Sequence, residues 1–400
     1  MTRRFDPLYI FANFGAHLAF LPLLVLLLPR RVEAIATGEP IILLSKLLLL
    51  GGVTASIAHI VAGSFSDRWI ARHGNRRGPI AIGLALLLAS YVYFSGARDP
   101  WALALAMIFF QFSLNIMFAP MGALLTDHVA HERKGWIAGW LNMALPLAGL
   151  AITAIGYFSL KDAGWPFLML AAAIGTAVVP LLLFWPGGLA IVGKKEEEPG
   201  VQTTLPRDFA LAWVARLAVQ SGAAIILSYL YLYVDSLARS AQGFPRQTPS
   251  EGVATLSLIA TLVSLGAGII AGRWSDRTGR RKRPLVMTAL GAAIALAILA
   301  AAPDWRIILA GYALFTASLT AFLSVDSAMI AQLLAGHQRR GTLLGLMNLT
   351  NTLPAIIAPA LALALTTVAF EASTLRLLIG SAAVGALIAA GAISAIRSIR

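Results

Sequence analysis

Twelve long apolar runs dominate this chain and leave few residues for anything else. Each run is close to or above the roughly 20 residues that a helix needs to cross the hydrocarbon core of a bilayer. Of the 400 residues, 58% are hydrophobic and only 12% are charged, whereas soluble domains carry about 25% charged residues. We therefore predict an all-α polytopic membrane protein, and the short connections exclude a large soluble domain.

The apolar runs predict twelve transmembrane helices with both termini on the same side of the membrane. They cover approximately residues 7–29, 41–66, 79–97, 101–127, 134–160, 165–186, 208–236, 250–274, 284–302, 305–335, 339–366 and 374–397. A segment with Pro-Gly-Gly and a cluster of Lys and Glu interrupts the series after span six. We therefore predict an N-terminal six-helix bundle at 1–186, a linker at 187–207 and a C-terminal six-helix bundle at 208–400, which together form two pseudo-symmetric halves.

Positive charge is distributed unevenly between the two sides of the predicted membrane. Of the 31 Lys and Arg residues, 21 fall on the side of the termini and 8 on the other side. Basic residues concentrate in cytoplasmic loops, so we predict a multi-pass protein of the inner (plasma) membrane with cytoplasmic N- and C-termini. The same rule accounts for the net charge of +13 without nucleic acid as a partner. The N-terminal run lacks a small-residue cleavage site, so we expect it to be retained as span one.

The residue types that enzymes and cofactors require are scarce. The chain contains no cysteine, which excludes disulfides, thiolate metal sites and cysteine nucleophiles. No Gly-x-x-x-x-Gly-Lys-Ser/Thr loop for nucleotide phosphates occurs. We therefore expect no enzyme activity, no cofactor and no metal.

An internal repeat links the two halves. The segment Gly63-Ser-Phe-Ser-Asp-Arg68 ends span two, and Gly272-Arg-Trp-Ser-Asp-Arg277 ends span eight, 209 residues later. The glycine and basic cluster that follow recur at an offset of 205, where Gly74-Asn-Arg-Arg-Gly-Pro79 matches Gly279-Arg-Arg-Lys-Arg-Pro284. A third match, at an offset of 206, opens spans five and eleven with Gly135, Gly139 and Asn142, and with Gly341, Gly345 and Asn348.

On these residues the chain resembles the major facilitator superfamily, whose loop between spans two and three carries Gly-x-x-x-Asp-Arg-x-x-Gly-Arg-Arg. The copy from Gly272 to Arg281 fits this pattern, whereas the first copy has an insertion at 69–73 and Asn75 in place of an arginine. The spacing after Ser66-Asp-Arg is similar to that of the glycoside and sucrose-type proton symporters. The resemblance implies a monomer that binds its solute near the bilayer midplane and rocks one half against the other.

The resemblance also implies a gating role for the motif. Asp67 would face the start of span eleven near Arg340 and Gly341, and Arg68 would pair with Asp127. Gly63 would allow close helix packing, and the charged pairs would form strong hydrogen bonds. The gating residues are Gly63, Asp67, Arg68, Gly74, Arg76, Arg77 and Asp127 in the first half, and Gly272, Asp276, Arg277, Gly279, Arg280 and Arg281 in the second. Arg72, Arg76 and Arg77 are explained more simply as topology signals.

Asp326 is the single acid, of 18, that lies well inside a span. Arg216 on span seven lies at a similar depth, roughly 10 to 12 Å from the inner boundary at 1.5 Å per residue. A charge inside a bilayer costs about 2.5 to 3.5 kcal/mol on insertion scales and usually faces a cavity. A proton-coupling pair is therefore predicted, and the alternative is a static ion pair.

The resemblance places spans one, four, seven and ten around a central cavity. Spans one, four and seven each carry two polar residues at positions i and i+4, which lie on one face of the helix. They are Asn13 and His17 on span one, Gln111 and Asn115 on span four, and Arg216 and Gln220 on span seven. With Asp326 they are the candidate substrate-binding residues, although interhelical hydrogen bonds would use the same groups. His17 is a further proton candidate because an imidazole titrates near neutral pH. His59 on span two is read as a packed histidine.

These features predict a secondary transporter that moves a small polar or anionic organic solute by proton-coupled symport. One buried acid offers too few oxygen ligands for sodium. A proton-coupled drug or metabolite exporter is the alternative, although span five lacks the Gly-Pro typical of that branch. A membrane protein that transports nothing is disfavoured, because the motif is present in both halves.

Overall fold

The computed structural model describes most of the chain. The described residues are 5–129, 131–158, 164–185, 207–240, 248–278, 280–301, 304–334, 340–369 and 371–398. Within them the chain is almost entirely helical. It divides into two compact units, Met1–Glu196 and Glu197–Arg400. The predicted linker at 187–207 lies outside the described residues apart from Arg207.

Twelve helical segments of the described residues are long and apolar enough to cross a membrane. The first unit contains α1 (Phe5–Pro22), a π-helical turn (Leu23–Leu27), α2 (Leu28–Ile35), α3 (Pro40–His73), α4 (Arg77–Gly96), α5 (Pro100–His128), α6 (His131–Asn142), α7 (Ala144–Tyr157) and α8 (Trp165–Leu183). The second contains α9 (Arg207–Ser240), α10 (Pro249–Thr278), α11 (Lys282–Ala301), α12 (Trp305–Leu333), α13 (Arg340–Thr352), α14 (Pro354–Leu365) and α15 (Glu371–Ala395). The predicted all-α fold with twelve spans is confirmed.

The two units repeat one packing pattern. In the first unit span four (α5) packs between spans two (α3) and three (α4), and span one (α1) packs against α7 and α8. In the second unit span ten (α12) packs between spans eight (α10) and nine (α11), and span seven (α9) packs against α14 and α15. The internal repeat of the sequence is therefore also a repeat of tertiary packing.

Spans five and eleven are both broken near their middle. Span five is interrupted at Met143, and span eleven at Leu353. A proline follows each break, Pro146 in α7 and Pro354 at the start of α14. A proline has no amide hydrogen for the carbonyl four residues before it, so backbone hydrogen bonds are lost near each break. Near these breaks, a backbone carbonyl and a side chain bind polar residues of other spans: the Leu141 carbonyl binds Asn13, and Asn351 binds Arg216.

Candidate functional site

The repeated motif of the first half forms a cluster of Ser66, Asp67, Arg76 and Asp127, called the rim cluster below. Arg76 Nε donates to Asp127 Oδ2 at 2.7 Å. Arg76 Nη1 donates to Ser66 Oγ at 2.6 Å and to Asp67 Oδ1 at 3.1 Å. The guanidinium is buried, whereas the Asp67 side chain is 73% exposed. Arg76 is therefore the centre of the cluster and joins spans two, three and four.

The partner of Asp127 differs from the one that the resemblance implied. Asp127 binds Arg76, whereas Arg68 is exposed and forms no ion pair within the described part of the chain. The cause is the insertion at 69–73, which extends α3 to His73 and leaves Arg68 on its exposed face. The pairing expected for Arg68 is therefore wrong in this structure.

A tight turn after α3 brings Arg76 back to the spans. Gly74 adopts φ +69 and its amide donates to the carbonyl of Ile70 at 2.8 Å. This left-handed conformation favours glycine and closes the helix. Asn75 then accepts a hydrogen bond from the backbone N–H of Arg77 at 3.0 Å. Asn75, where the family usually has arginine, therefore stabilises the turn that directs Arg76 inward.

Other motif residues of the first half are on the surface or have open space around them. Arg72 and Arg77 are exposed, in agreement with a role as topology signals. A Cβ added at Gly63 would meet no atom within 4 Å. Among the described residues no close helix contact is found at Gly63, and the close approach of spans three and four falls at Gly83, where a Cβ would lie 2.4 Å from the Met117 amide nitrogen.

The second copy of the motif repeats one contact of the rim cluster. Arg281 Nη1 donates to Ser275 Oγ at 2.7 Å, as Arg76 does to Ser66. Arg277 and Arg280 are exposed, and a Cβ at Gly272 would lie in ordinary contact with Ser324. Gly279 and the side chains of Asp276 and Arg340 lie outside the described residues. The expected approach of Asp67 to Arg340 and Gly341 therefore stays a prediction.

The second half holds a cluster of Arg216, Gln220, Asp326 and Asn351, called the ionic cluster below. Arg216 Nη1 donates to Asp326 Oδ2 at 2.8 Å, and Asp326 is 1% exposed. Two further donors, Arg216 Nη2 at 3.3 Å and Gln220 Nε2 at 2.8 Å, meet the side-chain oxygen of Asn351. The cluster therefore joins spans seven, ten and eleven.

Arg216 and Asp326 form their ion pair through a single hydrogen bond. Within the described part of the chain, Asp326 Oδ1 and Arg216 Nε are buried and have no hydrogen-bond partner. Guanidinium and carboxylate groups often pair through two parallel bonds, which satisfy more of their polar atoms. The cluster therefore retains one free acceptor on the acid and one free donor on the arginine.

The predicted polar residues of the first half form neutral hydrogen bonds. The imidazole of His59 donates from Nδ1 to Asn115 Oδ1 at 3.1 Å, and Asn115 Nδ2 donates to the carbonyl of Gln111 at 2.8 Å. His17 donates from Nδ1 to the carbonyl of Asn13 at 2.8 Å. We call these five residues the amide cluster.

Two aspects of the amide cluster differ from the sequence-based expectation. His59 is exposed and bonded to a buried amide, so its interpretation as a packed histidine is wrong. Asn13 and His17 are not directly bonded to Gln111 or Asn115 in any contact described for them, and the His17 ring packs against the ring of Phe118, with 5.7 Å between the ring centroids. Asn13 instead donates from Nδ2 to the carbonyl of Leu141 at 3.3 Å, next to the break in span five.

An apolar groove lies between span one and span five of the first half. It has a volume of about 770 Å³ and is lined by aromatic and aliphatic side chains, among them Phe11, Phe14, Trp136, Trp140 and Leu147. Arg133 forms an ion pair with buried Asp6, and its guanidinium lies 6.0 Å from the ring centroid of Trp136, which lines the groove. A volume of this size is typical of small-molecule sites, which are mostly apolar. Among the described residues no group of His, Asp and Glu is placed to hold a metal ion.

The fold and these clusters define a helical membrane protein of twelve spans with polar groups inside its bundles. The family model of the Major Facilitator Superfamily matches residues 9–359, with a second match at 246–398. The chain belongs to the Major Facilitator Superfamily. It is therefore a multi-pass membrane transporter of solutes and not an enzyme.

Solved structures of transporters share the fold. The nucleoside transporter NupG is 12% identical, with a TM-score of 0.73 and coverage of 98% of this chain and 99% of that one. A bacterial homologue of the human lysosomal transporter Spinster, inward-facing and occupied, is 13% identical, with a TM-score of 0.68 and coverage of 98% and 94%. A POT family transporter in complex with a conjugated peptide is 12% identical, with a TM-score of 0.75 and coverage of 96% and 95%. No curated protein matches the chain by sequence.

Proposed function

We propose that this protein moves a small polar or anionic organic solute together with protons, by symport through alternating access. The observation that carries the proposal is Asp326, buried inside span ten with one oxygen bonded to Arg216 and the other without a partner within the described residues. Burial of this carboxylate and its unpartnered oxygen favour proton binding, whereas the charge of Arg216 opposes it. Asp326 would bind and release the proton, and Arg216 would respond to its charge.

The remaining predicted residues have roles that follow from their chemistry. Gln220 and Arg216 would bind the solute in the second half. Asn13, His17, Gln111 and Asn115 of the amide cluster would hold the hydroxyl or amine groups of the solute in the first half, with His17 as a second proton site. The solved neighbours include a nucleoside transporter and a transporter in complex with 5-aminolevulinic acid, which supports a polar solute.

The rim cluster would act as a gate that forms and breaks during transport. Arg76 binds Asp127 and Asp67 in one network, and such charge-assisted contacts can stabilise one state over another. The 21 basic residues on one predicted side of the membrane support cytoplasmic termini, a cytoplasmic linker at 187–207 and the inner membrane as the location. We propose that the protein works as a monomer.

The test is electrophysiology on liposomes that contain the purified protein, with sugars, organic acids, amino acids and nucleosides added one at a time. We expect one class of solute to produce a proton current and Asp326→Asn to abolish it. The matched control is Asp235→Asn, because Asp235 is also a mostly buried acid, near the end of span seven, and pairs with Arg239. A current that survives in Asp326→Asn and is lost in Asp235→Asn would refute the assignment.

A drug-type antiporter is the second candidate, and the apolar groove supports it. Aromatic side chains around about 770 Å³ of space suit a hydrophobic cation or drug. The test is proton-driven movement of tetraphenylphosphonium out of cells, in the wild type and in Trp140→Ala. Export that depends on Trp140, with no solute-driven uptake, would favour this function over symport.

A further inference from the structure

Two hydrogen-bond donors of the ionic cluster meet at a single oxygen. Arg216 Nη2 and Gln220 Nε2, one helical turn apart on span seven, donate to Asn351 Oδ1 at 3.3 and 2.8 Å. A guanidinium has no acceptor, so the Asn351 atom that faces it is the oxygen. A guanidinium beside an amide donor, both directed at one oxygen, is an arrangement that binds a carboxylate strongly.

The ion pair with Asp326 uses only one of the two terminal nitrogens of Arg216. Asp326 uses Nη1, whereas Nη2 is directed at Asn351. Arg216 Nε has no partner within the described residues. Because a guanidinium carries five N–H donors, Arg216 can bind Asp326 and a second carboxylate at the same time.

Of the two acceptors of Arg216, only the one on span eleven is accessible. Asn351 is exposed, whereas Asp326 is 1% exposed. A solute that reaches the cluster can therefore replace the Asn351 oxygen without disturbing the Asp326 pair. A neutral amide oxygen is a weaker acceptor than a carboxylate oxygen, so the exchange favours an anionic solute.

Asn351 lies beside the helix break of span eleven, so replacement of its oxygen by a solute affects the backbone there. Asn351 lies in the last turn of α13, two residues before the break at Leu353. Its Nδ2 donates to Asn348 Oδ1 within the same helix. The contacts of Asn351 with Arg216 and Gln220 therefore tie span eleven to span seven at the broken point.

We propose that the side-chain oxygen of Asn351 stands in for a carboxylate oxygen of the transported solute. The solute carboxylate binds Arg216 and Gln220 in its place and frees span eleven at its break. The transported solute is therefore a carboxylate. This inference rests on the proposed transport function and narrows its substrate class.

The experiment measures the thermal unfolding midpoint of the purified full chain with three carboxylates and their uncharged amides. The probes are acetate, succinate and benzoate, each against acetamide, succinamide and benzamide. In the wild type we expect at least one acid to raise the midpoint and its amide to have no effect. Asn351→Asp places a fixed negative charge at the acceptor position, so the apparent affinity for that acid falls by about 10-fold or more.

Asn351→Ala is the matched variant, and we expect it to change the affinity for the acid in the opposite direction. It removes the competing oxygen, so the affinity for the same acid rises by about fivefold, the equivalent of one net hydrogen bond. Because it introduces no charge, it keeps the test decisive if Asn351→Asp does not fold. Equal responses to acids and amides, or an unchanged affinity in Asn351→Ala, would overturn the inference.

The liposome assay separates this inference from the proposed function. Absence of any acid effect, together with a proton current driven by an uncharged solute, would overturn the carboxylate assignment and leave symport standing. If no acid effect and no proton current are found, both the carboxylate assignment and the proposed symport are overturned.

Discussion

The two halves of this transporter share one packing pattern but hold different chemistry inside their spans. In the first half His59, Asn115 and Gln111 form neutral hydrogen bonds. In the second half Arg216 and Asp326 form an ion pair that an amide, Asn351, completes. A duplicated scaffold therefore constrains the backbone more tightly than the side chains inside it, and the ion pair between Arg216 and Asp326 lies in the second copy of the repeat.

The strongest test of this contrast is to leave the Arg216 charge unpaired. We expect Asp326→Ala to lower the free energy of unfolding by about 3 to 5 kcal/mol, the usual cost of removing one partner of a buried ion pair. Adding Arg216→Met should restore most of the loss, because no uncompensated charge is left. Reversible unfolding of the purified protein in mixed micelles measures both values. A double variant as unstable as Asp326→Ala would show that the pair has no special role in folding.

The rim cluster tests whether the structure or the family pattern identifies the partner of Asp127. Arg76→Ala should lower the free energy of unfolding by about 3 kcal/mol, because it removes the buried guanidinium that binds Asp127, Ser66 and Asp67. The matched control is Arg68→Ala, whose side chain is exposed and should change stability by no more than about 0.5 kcal/mol. The same unfolding measurement compares them, and a larger effect for Arg68→Ala would restore the pairing implied by the resemblance.

Asn115 of the amide cluster should respond through solute affinity and not through proton coupling. Asn115→Ala removes the partner of His59 and should cost up to about 1.7 kcal/mol, the upper range for hydrogen bonds between membrane helices. We expect the transport rate to keep its dependence on pH while the half-saturating solute concentration rises. Transport assays from pH 5.5 to 8 measure both quantities. A changed pH dependence in Asn115→Ala, with none in Asp326→Asn, would reverse the proposed division between the halves.

The smallest expected effects concern two hydrogen bonds that tie spans five and eleven to their neighbours. Asn13 donates to the carbonyl of Leu141, and Trp213 donates from Nε1 to the carbonyl of Leu346 at 2.9 Å. Asn13→Ala and Trp213→Phe should each cost about 0.6 kcal/mol, the mean for such bonds in membranes. Similar values from thermal unfolding would indicate equivalent tethers in the two halves. A cost above 2 kcal/mol at one of them alone would show that the repeat does not extend to the breaks.

The sequence predicted the spans well because their signal is local. The predicted second span, 41–66, falls within α3, Pro40–His73, and the predicted tenth span, 305–335, nearly coincides with α12, Trp305–Leu333. Asp326 and Arg216 were found because charges are rare in spans, and the structure places them 2.8 Å apart. Asn351 was missed because an Asn near a helix break has no unusual periodicity, although a polar residue just before Leu-Pro inside a predicted span was a usable signal.

Composition, hydrophobic spacing and the internal repeat by themselves determined that this is a twelve-span membrane protein of the Major Facilitator type. They could do so because hydrophobic length and repeated motifs are properties of contiguous residues. Only the tertiary structure decided which side chains meet. Arg76 binds Asp127 because the insertion at 69–73 lengthens α3 and a left-handed glycine reverses the chain, and Asn351 reaches Arg216 across 135 residues of sequence. Contacts of that range depend on helix packing and rotation, which no local pattern specifies.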